Sequence, residues 1–192
     1  MRPIWISLAL ACLALPAPAQ EMRPQEEVRL AALDETAGRA LRAALAGGSR
    51  GDVDLLQEAM AGTPLAPIET TLAGDWSCRT LKLGGLTPLT AYAAFDCRIT
   101  ADGDGFTLEK LTGSQRTTGR ISARDGTMVY LGTGFVEGTD PIAYGDLDPD
   151  FAGDGSLQPQ VGLVEQPGPD RIRILFPAPV VESDLDILYL TR

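Results

Sequence analysis

This chain of 192 residues contains no histidine, three cysteines and, among 16 basic residues, only two lysines, Lys82 and Lys110. Without imidazole it lacks the commonest general acid–base group and the commonest nitrogen ligand for metals. No zinc-binding or phosphate-loop motif is present, so no metal and no cofactor is implied. No segment is apolar for the roughly 20 residues that a membrane-spanning helix needs. Positive charge is scarce as well: the net charge is −10. Such a surface repels nucleic acid and anionic membranes, which excludes both as expected partners.

What is present begins with an export signal over residues 1–19. Arg2 supplies a basic start, Ile4 to Leu15 an apolar stretch too short to span a bilayer, and Ala17-Pro18-Ala19 a small-residue cleavage site. Gln20 is the expected mature N-terminus. Cys12 offers a rival reading as the lipidated cysteine of a lipoprotein, although the apolar run continues past it. Cleavage would leave Cys78 and Cys97, an even pair expected to form one disulfide in an oxidising compartment.

Apolar positions Leu30, Leu33, Ala37, Leu41, Ala44 and Leu45 recur at helical spacing and predict a helix from Glu26 to Ala46, stopped by Gly47-Gly48. A second helix is expected from Val53 to Ala61 with Asp52 as its N-cap. Pro64 and Pro67 then mark a linker, so residues 20–73 read as a helical segment with a proline-rich joint. From Gly74 the pattern changes to short alternating runs. Strands are expected at Asp75–Leu83, Tyr92–Thr100, Gly105–Leu111, Gly119–Arg124, Thr127–Phe135, Gln160–Glu165, Arg171–Phe176 and Asp184–Leu190. Asp102-Gly103-Asp104-Gly105 and Asp125-Gly126 are hairpin turns. The fold class is mainly β (α+β): an antiparallel barrel or sandwich of about eight strands over residues 74–192. If the first two strands face Cys78 with Cys97, then Trp76 meets Ile99 and Thr80 meets Phe95 on an apolar face. The opposite face would then pair Arg79 with Asp96 and Ser77 with Arg98.

Leu72-Ala73-Gly74-Asp75-Trp76 resembles the Gly-x-Trp opening of lipocalin-type barrels. That resemblance implies a tryptophan closing one barrel end, with an arginine from the last strands, Arg173 or Arg171, against its ring. Residues 76–84, 108–116 and 182–187 together resemble a family of uncharacterised exported bacterial proteins, catalogued as a domain of unknown function. Membership implies a periplasmic setting and no assigned activity. A third resemblance, to bacterial metalloprotease inhibitors, lies in size, in the early Ala-Gly-x-Trp strand and in one disulfide between early strands.

The most conspicuous polar segment is Gly113-Ser114-Gln115-Arg116, continuing through Thr118, Arg120, Ser122 and Arg124 at alternate positions. Arg116 and Arg120, with Ser114 and the turn amides beside them, form the candidate ligand-binding set. Guanidinium groups on one strand face suit a carboxylate or phosphate. No Gly-x-Ser-x-Gly elbow and no histidine support Ser114 as a nucleophile. Asp146, Asp148, Asp150 and Asp154 alternate in a loop, but Phe151 and Leu157 occupy the positions where a calcium loop needs glycine and a bidentate acid. The leading expectation is a non-enzymatic periplasmic protein binding a small anionic or apolar ligand or a protein partner. A secreted protease-inhibitor-like barrel is the alternative, and a hydrolase without histidine the third reading.

Overall fold

The computed structural model describes residues 20–64 and 72–192. The expected signal segment, with Cys12, and Pro67 of the joint lie outside the described residues. Eight antiparallel strands close into one barrel in sequence order: β1 (Gly74–Leu83), β2 (Leu89–Asp102), β3 (Gly105–Lys110), β4 (Gln115–Arg124), β5 (Thr127–Val136), β6 (Leu157–Gly168), β7 (Arg171–Pro177) and β8 (Leu185–Thr191). Every expected strand is present. Closure comes from β1 pairing with β8, where Cys78 meets Leu190 and Lys82 meets Asp186. A closed sheet has no unpaired edge to manage.

One end, the base, is turned by the two-residue links Gly103-Asp104, Asp125-Gly126 and Pro169-Asp170. Asp125 and Gly126 both take positive φ, 48° and 77°, the geometry a tight hairpin needs. The longer connections all gather at the opposite end, the mouth. Trp76 closes the base: its ring is buried and its Nε1 donates to the Leu72 carbonyl at 2.9 Å. Arg192 lies over the ring, its guanidinium carbon 4.2 Å from the centroid. The expected partners are employed elsewhere. Arg173 pairs with Glu165 and donates to the Met60 carbonyl at 2.6 Å, capping the end of a helix on the outer wall.

The hairpin register differs from the expected one by two residues. Cys78 faces Phe95, and Cys97 faces Trp76. Asp75 therefore meets Arg98, with an ion pair at 2.7 Å, while Arg79 meets Ala94. The five-residue turn Gly84–Pro88 and an irregularity between Arg79 and Leu81 set this register. A slip of two preserves which face each side chain occupies. The cysteines thus remain inside and bridge diagonally, with Cα atoms 5.8 Å apart. Mass spectrometry of the unreduced protein should find Cys78 and Cys97 joined. Cys78→Ser should lower stability by roughly 2–4 kcal/mol in urea titrations, because the bond closes a loop of about 20 residues. Both thiols alkylating without prior reduction would refute the bond.

Three helices belt the outside: α1 (Pro24–Ala31), α2 (Leu33–Gly47) and α3 (Arg50–Met60). The expected single helix over 26–46 is divided at Ala32, which lets α1 lie on β6 and β7 while α2 crosses β1, β2, β7 and β8. The N-cap of α3 is Ser49 rather than Asp52. Ser49 Oγ accepts the Asp52 amide at 3.2 Å and donates to the Asp52 carboxylate at 2.9 Å, a reciprocal cap. Leu33, Ala40, Ala44, Leu56 and Ala59 pack on the outward residues Leu81, Leu83, Leu175, Leu185, Ile187 and Tyr189. The amphipathic stripe therefore finds its apolar partner on the outer barrel wall.

A buried charged cluster fastens α1. Glu26, 1% exposed, pairs with Arg23 at 2.7 Å and with Arg29 at 3.7 Å. Tyr144, in a 3-10 turn of the β5–β6 connection, donates to the same carboxylate at 2.9 Å. Arg29 also donates to the Pro159 and Pro177 carbonyls at 3.1 and 3.3 Å, tying the helix to β6 and β7.

Candidate binding site at the barrel mouth

The barrel interior changes character along its axis. Alternation on each strand sends Trp76, Ile99, Ile121, Val164, Ile172 and Leu190 inward near the base, where they form the apolar core. In the middle layer Tyr130 meets Phe176 edge to face at 5.5 Å, and the disulfide fills the space beside Leu108. Gly119 belongs to this layer because a Cβ there would sit 2.7 Å from Tyr130 Cζ. Towards the mouth the same inward positions become Thr80, Lys82, Lys110, Thr117, Gln160 and Asp186, which line a cavity of about 50 Å³. A second cavity of about 150 Å³ shares Thr80, Lys110 and Gln115 and adds Tyr92, Phe95 and Ser114. The first holds a few waters or one small polar group, not a whole apolar ligand.

Most polar groups in this layer have partners. Thr117 Oγ1 lies 2.5 Å from both the Tyr130 hydroxyl and Gln160 Oε1. Lys82 pairs with Glu182 at 2.5 Å and approaches Asp186 at 4.0 Å. Ser183 donates to the other Asp186 oxygen at 2.5 Å. Burial nonetheless pushes the Asp186 carboxyl up to about 6, with Lys82 and the Ser183 hydrogen bond opposing the shift. Lys110 differs from Lys82 in having no carboxylate partner among the described residues. Its ammonium donates to the Gln115 and Thr112 carbonyls at 2.5 and 3.2 Å and stands 4.0 Å from the Phe95 ring centroid. Burial, then the charges of Arg116 and Lys82, bring its amine down to about 8.

The residues singled out from the sequence are divided between two places. Arg116 lines the mouth cavity, pairs with Glu137 at 2.5 Å and donates to the Gly113 carbonyl at 3.1 Å. Ser114 borders the second cavity. Arg120 lies further down the outer wall, in a groove lined also by Thr118, Ser122 and Arg124. There Asp102 and Asp104 both hold its guanidinium, the latter at 2.6 Å. Arg124 donates to the Gln20 carbonyl. In the loop after the 3-10 turn, Asp154 Oδ1 accepts the Ser156 and Leu157 amides at 2.9 Å, and Asp148 accepts the Asp150 amide at 2.9 Å. These aspartates act as turn caps. Among the described residues no three potential ligands converge as a metal site would require.

Lys82, Lys110, Asp186 and Gln160 escaped sequence reasoning. The available signal was the lysine count: both lysines of the chain occupy inward strand positions at this end.

Fold and site together define a closed eight-stranded barrel with an apolar base, a polar mouth and a helical belt. The chain belongs to the family described as a domain of unknown function, DUF4893, whose model matches residues 19–190, the belt as well as the barrel. Of the lipocalin-like resemblance only the barrel is found, since the arginine on the Trp76 ring is Arg192 and neither Arg173 nor Arg171. No curated protein and no solved structure matches the chain.

Proposed function

We propose that the protein is a non-enzymatic periplasmic binding protein that holds the anionic head of a small ligand at the barrel mouth. One observation carries this reading: Lys110 is a buried cation facing two adjoining cavities, and among the described residues it meets only carbonyls and the Phe95 ring. A carboxylate or phosphate oxygen there would gain a charge-assisted hydrogen bond that carbonyls supply less strongly. Arg116 at the rim and Ser114 beside it extend the same site. The small cavity and filled base favour a ligand whose head enters while the remainder stays outside. The inhibitor-like alternative calls for a projecting N-terminal arm. Against it, the Arg23 amide donates to the Tyr144 hydroxyl at 3.0 Å, so this stretch lies on the barrel wall.

Calorimetry at low salt and pH 7, with acetate, succinate and inorganic phosphate, tests the proposal. At least one should bind, with affinity falling about tenfold or more in Lys110→Met and unchanged in Arg120→Ala. Affinity should also fall as pH rises through about 8, where Lys110 loses its proton. If none binds, or Lys110→Met binds as well as wild type, the mouth is not an anion site. A loss confined to Arg120→Ala would move the site to the outer groove.

A further inference from the structure

The chain carries 16 basic residues and only two are lysine. Both side chains are buried inside the barrel, at 6% and 7% exposure, and both line the mouth cavity. Among the described residues arginine serves everywhere else, on helices, rim, base and outer wall. Arginine would supply a cation equally well but stays protonated, whereas lysine can release its proton and become a nucleophile. Of the two, Lys82 is ion-paired with Glu182 at 2.5 Å and lies 4.0 Å from Asp186. Lys110 has no acid beside it among the described residues, faces two cations, and opens on a cavity of about 150 Å³. Burial and neighbouring cations are the two conditions that activate a lysine amine.

We propose that Lys110 is a reactive-amine site that captures small aldehydes reversibly as an imine. The free amine has two N–H bonds and one lone pair. The Gln115 and Thr112 carbonyls accept the N–H groups, which leaves the lone pair for the carbonyl carbon. Attack forms the C–N bond and a carbinolamine, with a proton passing from nitrogen to oxygen. Loss of that hydroxyl as water, together with the remaining amine proton, gives the imine. The sequence needs no oxidant or reductant, and water reverses it. An aldehyde of two or three carbons suits the cavity. Capture depends on the amine, whereas the anion-binding reading depends on charge, so Lys110→Arg separates them: it keeps the second and abolishes the first.

The chain from Gln20 would be treated with acetaldehyde and cyanoborohydride at pH 7.4, and ethylation at Lys110 and Lys82 followed by peptide mass spectrometry. Lys110 should be labelled on the order of tenfold or more faster than Lys82, and faster than Lys110 itself in urea. Its rate should rise with pH and level off above about 8, while both lysines in urea should go on rising to about pH 10. Lys110→Arg should leave Lys82 labelling slow. Labelling of Lys110 no faster than Lys82, or faster only after unfolding, would overturn the proposal whatever calorimetry finds for anions.

Discussion

Trp76→Ala is expected to destabilise the protein by about 3–5 kcal/mol, the range for removing a large buried aromatic. Three losses coincide at the base. The ring leaves a void beneath Ile99, Ile172 and Leu190; the buried Leu72 carbonyl loses its donor; and Arg192 loses the face on which it stacks. Urea unfolding followed by far-ultraviolet circular dichroism measures the change. In a chain beginning at Gln20, Trp76 is the sole tryptophan, so blue-shifted emission in the folded wild type is the companion observation. A loss under about 1 kcal/mol, or emission already red-shifted before unfolding, would mean that the ring does not close the base.

Removing Glu26 should cost a similar amount for a different reason. Its buried carboxylate satisfies the partly exposed Arg23 and Arg29 and the Tyr144 hydroxyl. Glu26→Ala leaves two guanidinium groups without their acid, and stripping one partner from a buried ion pair typically costs about 3–5 kcal/mol. Glu26→Gln preserves shape and part of the hydrogen bonding and should fall between alanine and wild type. Because α1 is anchored here, protease cleavage near residues 24–31 should accelerate in the alanine variant before the barrel opens. Equal stability of all three proteins in urea would show that packing alone holds the helix.

The sequence was most legible where one rule acts locally. Period-two alternation located eight strands, and Asp125-Gly126 announced its turn because few other pairs accept positive φ at both positions. The Cys78–Cys97 pair was readable from count and compartment, but its register was not. Facing and diagonal cysteines leave the same alternation, and only the turn at Gly84–Pro88 with the irregularity after Arg79 distinguishes them. The helix over 26–46 read as continuous because nothing in its composition marks Ala32; the break follows from where the barrel surface lies. The Glu26 cluster was invisible for a related reason, since its tyrosine comes from 118 residues away. Arg116 and Arg120 were grouped by a shared strand face, which the barrel preserves. Their neighbours differ, because the rim and the lower wall recruit acids from different loops.

Barrel closure also governs when this chain can become stable. The first strand finds its second neighbour only when the last strand arrives, with Ser77 paired to Thr191. Until then β1 has one exposed edge and the core beneath Trp76 lacks Leu188 and Leu190. Contacts so distant in sequence make folding slow, since the loop entropy must be met before the pairing rewards it. A nascent chain can thus gather hairpins but cannot seal the barrel before β8 is made.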